Sequence, residues 1–444
     1  MASSYLTRTP SSDSNRTKWT FSAWIKKSNP SASSAESMIL SAGTYNTNQM
    51  LQLANQEDFT FRHYNANGSL SWGLTTAKTR DPSAWYHLVV TFDTAQATST
   101  NRVKIYLNGS LATLTGNYPD QNQDSVINST LAQNIGFRSG SSYYFNGLMT
   151  HIHLCEGYAY AASDFGETDT TSGIWKPKTA PSVSYGTNGF FLKFENSGSM
   201  GTDSSGNGNN FTVSGTLTQS PDTPSNNFCT INPLDTYYFE NSTFANGNLT
   251  VSGNNSSFTF CTSTLGVSAG KWYMEAKLSA QQGSGTRIGV VGRTSTALNE
   301  GLGDRQDEIA HQVNGDLKVN GTTTSSWGST WTVNDIIGIA LDLDNNKIYF
   351  SKNGTYQASG NPSTAANGVT ITAADSTTDG VYRFGFGDNN STGTSTFQYN
   401  FGSGFFGTTA VASANADGNG IGAFEYAVPT GYYAVCTKNI KEFG

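Results

Sequence analysis

Three residues with metal-binding side chains alternate around position 153. His151, His153 and Cys155 are separated by Ile152 and Leu154. On a β-strand this spacing directs the two imidazoles and the thiol to one face. A structural zinc site takes four such ligands, and no carboxylate or second histidine pair is visibly poised to complete a site with these three. The alternative is a closing strand with its two apolar residues in a core. We predict the strand and no metal.

The densest charge cluster of the chain follows a glycine-rich run at residues 301–303. Its members are Asp304, Arg305, Asp307 and Glu308. The run is not followed by the Lys-Ser or Lys-Thr of a phosphate-binding loop. A charged loop is commonly just solvated, and that interpretation stays open here. Because the rest of the chain carries few charges, the cluster is also a candidate ligand-binding loop.

Two adjacent tyrosines, Tyr143 and Tyr144, follow a loop rich in glycine and serine. Tyrosine provides a large contact area at a small entropic cost, so the pair could stack on sugar rings. Packing of both rings against a neighbouring strand is an equally good interpretation. We take them as candidate ligand-binding residues.

The sequence provides little for catalysis. A glycosidase needs two carboxylates roughly 5–9.5 Å apart, and the pair that shares a predicted strand face, Asp342 and Asp344, is explained by the hairpin described next. The five histidines show no Ser-His-Asp or Cys-His order. We therefore predict a protein that is not an enzyme and has no cofactor.

The clearest structural element is a hairpin at residues 337–354. Apolar residues alternate with small or acidic ones from Ile337 to Leu343, which is the period of a half-buried strand. Asn345 and Asn346 suit a two-residue turn. That turn would set Leu343 opposite Ile348 on the buried face.

Further alternating segments predict a first sandwich. The segments at residues 19–25, 88–92 and 103–107 each place apolar side chains on one face. Only 13% of all residues are charged, against about a quarter in an ordinary soluble protein. Ser, Thr, Asn and Gly supply the polarity, which is typical of short strands and turns. We predict an all-β chain.

Composition also excludes several partners. A net charge of −7 argues against nucleic acid, which requires clustered Lys and Arg. No segment has the apolar length of a membrane span. The N-terminus lacks the apolar stretch of a signal peptide, so we expect synthesis in a cytoplasm without export by that route. Four widely spaced cysteines predict isolated thiols, although a long-range disulfide stays open.

The last 200 residues resemble SPRY domains. The resemblance rests on the hairpin, on G-K-W-Y-M-E at residues 270–275, on R-I-G-V-V at 287–291 and on Y-R-F-G-F at 382–386. It implies a bent β-sandwich used for binding, in which the 304–308 loop lies where these domains present binding loops.

The first 165 residues resemble laminin-G-like members of the concanavalin A-like fold. Here the resemblance rests on F-S-A-W-I at residues 21–25, W-Y-H-L-V-V-T-F-D at 85–93, K-I-Y-L-N-G at 104–109 and F-N-G-L-M at 145–149. It implies a jelly-roll sandwich that binds glycans or proteins. Calcium is common in this family, but its ligands cannot be assigned to residues here.

The order of these parts resembles structural proteins of tailed bacteriophages. We predict a laminin-G-like sandwich at residues 1–165, an ordered connector at 166–227 and a SPRY-like sandwich at 228–444. The resemblance implies a phage virion protein, made in the host cytoplasm and exposed as a fibre, spike or capsid appendage. Its partners would be other virion proteins, host-surface glycan or protein, and further copies in a symmetric oligomer. A purely structural decoration or joint protein stays open as an alternative, and a carbohydrate-active enzyme as a second one.

Overall fold

A computed structural model of the chain contains two compact units, residues 1–225 and 226–444. It describes residues 4–28, 37–44, 50–55, 58–64, 70–141, 143–171, 173–236, 242–253, 259–281, 283–293, 301–388 and 394–444. Strands dominate these residues, and their single α-helix is α1, Thr437–Phe443. No helix in the described ranges has the length and apolar character needed to cross a bilayer. The all-β prediction is confirmed.

The first unit is a sandwich of two antiparallel sheets. One sheet has the order β10-β6-β5-β4-β3-β11-β1-β16, and the other has the order β15-β12-β2-β7-β8-β9. The strands are β1 (Tyr5–Arg8), β2 (Lys18–Lys27), β3 (Ser37–Gly43), β4 (Met50–Asn55), β5 (Phe59–Tyr64), β6 (Leu70–Thr75), β7 (Tyr86–Asp93), β8 (Val103–Leu107), β9 (Ser110–Leu111), β10 (Leu114–Gly116), β11 (Gln133–Ile135), β12 (Gly147–Glu156), β13 (Gly166–Thr168), β14 (Trp175–Pro177), β15 (Phe190–Leu192) and β16 (Thr212–Ser214).

The core between these sheets contains apolar residues that the alternating sequence pattern predicted to be buried. Trp19, Phe21, Ala23 and Ile25 of β2 are all buried there, as are Leu88, Val90 and Phe92 of β7 and the first two apolar residues of β8. Ile152 and Leu154 of β12 also belong to this core. Apolar alternation therefore identified the inner face of the six-stranded sheet correctly.

The segment predicted as a connector contributes to the first unit. Within it, β15 pairs with β12 and β16 pairs with β1, so each adds a strand to a different sheet of the sandwich. Residues 166–225 all belong to this unit. Even a run as short as Phe190–Leu192 is fully buried where it adds to a sheet.

Residues 158–186 pack on the outer face of the six-stranded sheet. Trp175 donates its Nε1–H to Nδ1 of His87 at 3.0 Å. The hydroxyls of Thr20 and Thr91 donate to the backbone carbonyls of Tyr158 and Tyr160. Both faces of this sheet are consequently buried, and its polar outer side chains obtain hydrogen bonds from the covering segment.

The second unit is another sandwich, with one sheet in the order β17-β20-β30-β22-β23-β24-β25. The facing sheet runs β18-β19-β31-β21-β26-β27-β28, with β29 beside β27 and β36 beside β21. The strands are β17 (Ile231–Thr236), β18 (Thr243–Ala245), β19 (Thr250–Ser252), β20 (Thr259–Ser263), β21 (Lys271–Ala280), β22 (Arg287–Val291), β23 (Glu308–Gln312), β24 (Leu317–Val319), β25 (Thr322–Thr324), β26 (Ile336–Asp342), β27 (Lys347–Lys352), β28 (Thr355–Tyr356), β29 (Val369–Thr370), β30 (Arg383–Asp388), β31 (Thr396–Asn400), β32 (Phe405–Phe406), β33 (Thr409–Ala410), β34 (Asn415–Ala416), β35 (Ala423–Phe424) and β36 (Tyr433–Ala434).

The predicted hairpin is present as β26 and β27, but its register differs by two residues. Leu341 lies opposite Ile348 and Asp342 lies opposite Lys347, which leaves four residues in the turn. Asp342 causes the difference, because its carboxylate accepts hydrogen bonds from the backbone and side-chain N–H groups of Asn345. A shift of two keeps every side chain on its predicted face.

The outer face of the nine-stranded sheet is covered by the C-terminal part of the chain. Tyr273, Ala340 and Tyr349 of the sheet pack against apolar residues from Phe424 to Cys436. The buried carboxylate of Glu275 accepts hydrogen bonds from the backbone N–H groups of Glu425 and Tyr426 at 2.8 and 2.9 Å. This carboxylate ties the covering segment to the sheet.

Candidate functional site

Three aromatic rings form a stack on the first unit. The rings of Tyr5 and Phe137 have centroids 4.4 Å apart, and those of Phe137 and Tyr144 are 4.9 Å apart. Tyr5 precedes the buried Leu6 on β1, so its side chain lies on the face of the eight-stranded sheet that points away from the core. All three rings are half-buried. We call this group the aromatic stack.

Tyr143 lies beside the stack and contacts a different residue. The guanidinium of Arg138 is 4.1 Å from the centre of its ring, a cation–π contact. Arg138 is itself buried, and its Nε–H donates to Oγ of Ser141 at 3.0 Å. Each candidate tyrosine thus packs against a neighbouring side chain, Tyr144 against Phe137 and Tyr143 against Arg138, and keeps part of its surface in solvent.

Of the aromatic stack, the sequence indicated only Tyr144. Tyr5 is far from it along the chain, whereas Phe137 lies seven residues before it and is joined to it by an isolated β-bridge. The one available signal was that Tyr5 is adjacent to the core residue Leu6, so that on a strand its side chain points to the opposite face. Stacked rings of this kind stabilise a sheet surface and also expose an apolar contact area.

The charged loop of the second unit is built around Asp304. Its carboxylate lies 2.8 Å from Nη1 of Arg287 and 3.3 Å from Nζ of Lys318, and it accepts the backbone N–H of Gly301. Burial pushes the pKa of Asp304 up. The hydrogen bond and positive charge of Arg287 outweigh that effect, so the pKa lies below its ordinary value.

The other acidic residues of the loop are more deeply buried. Glu308, 2% exposed, accepts the backbone N–H groups of Gly303 and Arg305, and burial raises its pKa despite these bonds. Asp307, 1% exposed, has a positive φ of 63° and contacts Thr378 at 3.3 Å. The structure brings the four predicted residues together, but the three carboxylates among them contact other groups of the protein and so stabilise the loop.

We expect Asp304→Asn to destabilise the second unit by about 2 kcal/mol, because it removes a charge-assisted hydrogen bond from the nearly buried Arg287. Urea unfolding read by hydrogen exchange of residues 301–308 measures the change. The matched control is Gln306→Ala, an exposed residue of the same loop, which should stay within about 0.5 kcal/mol of the unchanged protein. Equal stability of the two variants would contradict a structural role for Asp304.

The His151–Cys155 segment does not present three ligands on one face. A bulge interrupts the pairing of β12 with β2 between Thr150 and His153, and His151 has a φ of 47°. His153 stacks on Phe191 at 3.8 Å. Among the described residues, no group of three or more His, Cys, Asp or Glu side chains could hold a metal ion. The bulge explains the difference, because it changes the facing of side chains along the strand.

The two carboxylates on one predicted strand face have structural partners. Asp342 is fully buried, lies 3.2 Å from Nζ of Lys271 and organises the hairpin turn. Asp344 accepts the backbone N–H of Gly270 at 3.0 Å. Asp342 and Asp344 therefore do not form a solvent-accessible acid–base pair.

Comparisons with known proteins match each unit to a domain family. Residues 2–160 match the model of the concanavalin A-like lectin/glucanases superfamily (Laminin_G_3), and residues 271–399 match that of the SPRY domain. No curated protein matches the chain.

Solved SPRY domains are similar to part of the chain at low identity. The SPRY domain of human HERC1 is 17% identical, with 38% of this chain and 96% of that chain covered and a TM-score of 0.31. A human SPRY domain is 20% identical, with coverages of 34% and 89% and a TM-score of 0.26. The TRIM65 PSpry domain is 12% identical, with coverages of 39% and 91% and a TM-score of 0.28. On the two family matches, the chain contains a concanavalin A-like domain followed by a SPRY domain.

Proposed function

We propose that this chain is a non-enzymatic binding protein on the surface of a tailed-phage particle, where it contacts host-surface glycan or protein. Laminin-G and SPRY domains are typically non-catalytic binding domains. The order of the two domains and the segment between them resemble phage structural proteins, which supports the location. The protein would be made in the host cytoplasm and assemble with other virion proteins, including further copies of itself.

The observation that carries a binding role is the aromatic stack. Three half-exposed rings form one apolar surface on the first unit, and tyrosine is enriched among residues that dominate binding energy. Its phenol hydroxyls supply hydrogen bonds at the edge of that surface. A glycan or a protein loop could rest on it without any charged contact.

We expect Tyr144→Ala to weaken binding about tenfold, the effect of losing one aromatic contact of about 1.4 kcal/mol. The purified full chain is applied to an array of bacterial surface polysaccharides and to host cells. The matched control is Tyr158→Ala, an exposed tyrosine of the same unit outside the stack. Equal binding by both variants would exclude the stack as the contact surface.

A second candidate function is structural decoration of the particle without a host ligand. It is favoured by the packing of the three rings against one another, with centroids 4.4, 4.9 and 6.3 Å apart, since the ring area used in these contacts is not available to a sugar. Absence of binding to every glycan and cell, with the protein located on virions by electron microscopy, would support this function. Hydrolysis of any polysaccharide on the array would instead support an enzyme.

A further inference from the structure

A groove on the first unit combines apolar side chains with uncharged polar ones. It is an open cavity of about 510 Å³, formed by the turn at residues 197–202 and the chain from Asn210 to Leu217, which includes β16. Met200, Phe211, Val213 and Leu217 contribute its apolar surface. We call it the 197–217 groove. Neither the aromatic stack nor the predicted charged loop is part of it.

The polar groups around the groove are all uncharged. Ser197, Ser199, Thr202 and Thr216 contribute hydroxyls, and Asn210 contributes an amide. No Lys, Arg, His, Asp or Glu lines the groove. A few polar groups over an apolar surface is the usual composition of a small-ligand site, and the absence of charge disfavours an ionic ligand, whose desolvation would be uncompensated.

The groove is held in shape by hydrogen bonds beneath it. The carboxylate of Asp203 accepts the backbone N–H groups of Phe191, Ser205 and Asn209 at 2.8 to 2.9 Å. The backbone N–H of Phe211 donates to the carbonyl of Gly201 at 2.8 Å, an approach so close that a Cβ on Gly201 would collide with the Phe211 backbone. A site fixed before binding loses little entropy when its ligand arrives.

Several groups of this preformed groove remain exposed to a ligand. Asn210 uses its side-chain oxygen to accept the Asp203 backbone N–H, and its amide NH₂ is left as a donor. The hydroxyl oxygens of Ser199 and Thr202 lie 2.5 Å apart and share a hydrogen bond. Each hydroxyl keeps further hydrogen-bonding capacity for a ligand. Val213 is 37% exposed at the groove.

We propose that the 197–217 groove binds a neutral saccharide, with an apolar C–H face of a pyranose ring on the side chains of Val213 and Met200 and the ring hydroxyls on the surrounding hydroxyl and amide groups. The inference deepens the proposed function, because it takes a glycan as the ligand and names its class. A pyranose joins an apolar face to a rim of hydroxyls, which matches the distribution of groups in the groove.

An added peptide strand is a less good occupant. β16 is the last strand of its sheet and has a free edge, which can recruit an extended segment. However, β16 has only three residues, and Gly215 directly after it has a φ of 75° that ends the extended conformation. So short an edge offers few backbone hydrogen bonds to a partner.

The test measures binding of neutral disaccharides of glucose, galactose and N-acetylglucosamine to the full chain by calorimetry and ligand-observed NMR. A glucuronate-containing disaccharide and an uncharged Ser/Thr/Gly-rich hexapeptide are run beside them. We expect at least one neutral disaccharide to bind. Ser197→Ala combined with Thr216→Ala should weaken that binding about five- to tenfold, since two hydroxyl partners are lost.

A second variant blocks the groove. Gly198 lines it at an exposed turn with an ordinary φ, and a Cβ there approaches nothing closer than 3.4 Å, so Gly198→Trp should fold and abolish binding. Ser204→Ala, exposed in the same segment but outside the groove, is the matched control and should bind as the unchanged protein does. Thermal melting verifies that all variants are folded.

The outcomes separate this inference from the proposed function. Binding of the hexapeptide or of the charged sugar alone, no binding of any neutral disaccharide, or binding unaffected by Gly198→Trp would each overturn the sugar groove. If glycan-array or host-cell binding persisted in those cases and fell with Tyr144→Ala, the proposed function would stand on the aromatic stack. Loss of all binding on the array would overturn both.

Discussion

Replacing Asp222 with alanine is expected to lower the free energy of unfolding of the first unit by about 3–5 kcal/mol. Its carboxylate lies 2.7 Å from Nζ of Lys26, and the two side chains are only 4% and 3% exposed. It also accepts the Nε1–H of Trp85 at 2.9 Å. Removing the carboxylate takes a negative charge 2.7 Å away from a buried ammonium group, which is far more costly than losing an exposed ion pair.

This ion pair joins the C-terminal end of the first unit to its six-stranded sheet. Lys26 belongs to β2, whereas Asp222 lies 196 residues later, close to the boundary at residue 225. The effect should therefore include loss of protection in the segment that follows β16. Pulse-labelling hydrogen exchange across a urea series follows peptides from each unit separately.

Two further variants separate charge from packing. Asp222→Asn retains an acceptor for Trp85 but lacks the charge, so it should fall between the unchanged protein and the alanine variant. Lys26→Met with Asp222→Leu replaces the pair by apolar groups and should recover most of the lost stability. An alanine variant less than about 1 kcal/mol destabilised, within the range of exposed pairs, would contradict this account.

The inner faces of both sandwiches could be predicted from sequence because alternation is a local property. Trp19, Phe21, Ala23 and Ile25 are each separated by one residue, and a strand converts that spacing directly into one buried face. The same reasoning found β26 and β27. It missed their register, because the turn length depends on the side chain of Asp342 bonding to Asn345 rather than on the apolar pattern.

Outer faces were less accessible to sequence reasoning. Ser22 and His87 have the appearance of solvent-facing residues, yet both are fully buried and lie 2.9 Å apart. The sequence of β2 would be the same whether water or residues 158–186 supplied the remaining polar contacts. Only the tertiary structure distinguishes these cases.

The candidate sites show the same limit. The charge of Asp304 was visible, but its pairing with Arg287, 17 residues earlier and on a different element, was not. The aromatic stack needs Tyr5 and Phe137 to meet across strands, and no local spacing encodes that contact. The 197–217 groove likewise depends on how the turn at residues 197–202 packs against Phe211.

Acidification from pH 7 to pH 4.5 is expected to destabilise the first unit more than the second. Burial lowers the pKa of His63 to about 4 and that of His87 to about 3, and it lowers the pKa of His153 well below its ordinary value. A histidine whose pKa is lower in the folded state contributes stability above pH 6.5 and loses it as pH falls. At 1.36 kcal/mol for each pH unit, His63 and His87 each lose about 2–3 kcal/mol by pH 4.5, and His153 acts in the same direction.

In the second unit, the pKa shifts of His311 and Glu275 have opposite effects on stability as the pH falls. Burial lowers the pKa of His311 to about 4, so it acts as the histidines of the first unit do. Burial also raises the pKa of Glu275 to about 7, against the hydrogen bonds from the backbone of residues 425 and 426. A carboxyl whose pKa is raised contributes its stability below pH 4.5 and loses it as pH rises to 7, so acidification restores about what His311 loses.

Urea unfolding at pH 4.5, 5.5, 7 and 8, read by hydrogen exchange of peptides from each unit, tests both statements. In Glu275→Gln the compensating group no longer titrates, so the difference in unfolding free energy between variant and unchanged protein should change by about 3 kcal/mol from pH 4.5 to pH 8. As the pH rises, Glu275→Gln should become more stable relative to the unchanged protein. A larger loss of unfolding free energy between pH 7 and pH 4.5 in the second unit than in the first would refute the first statement. A pH-independent difference for Glu275→Gln would refute the second, because it would mean that this carboxyl titrates alike in the folded and unfolded chain.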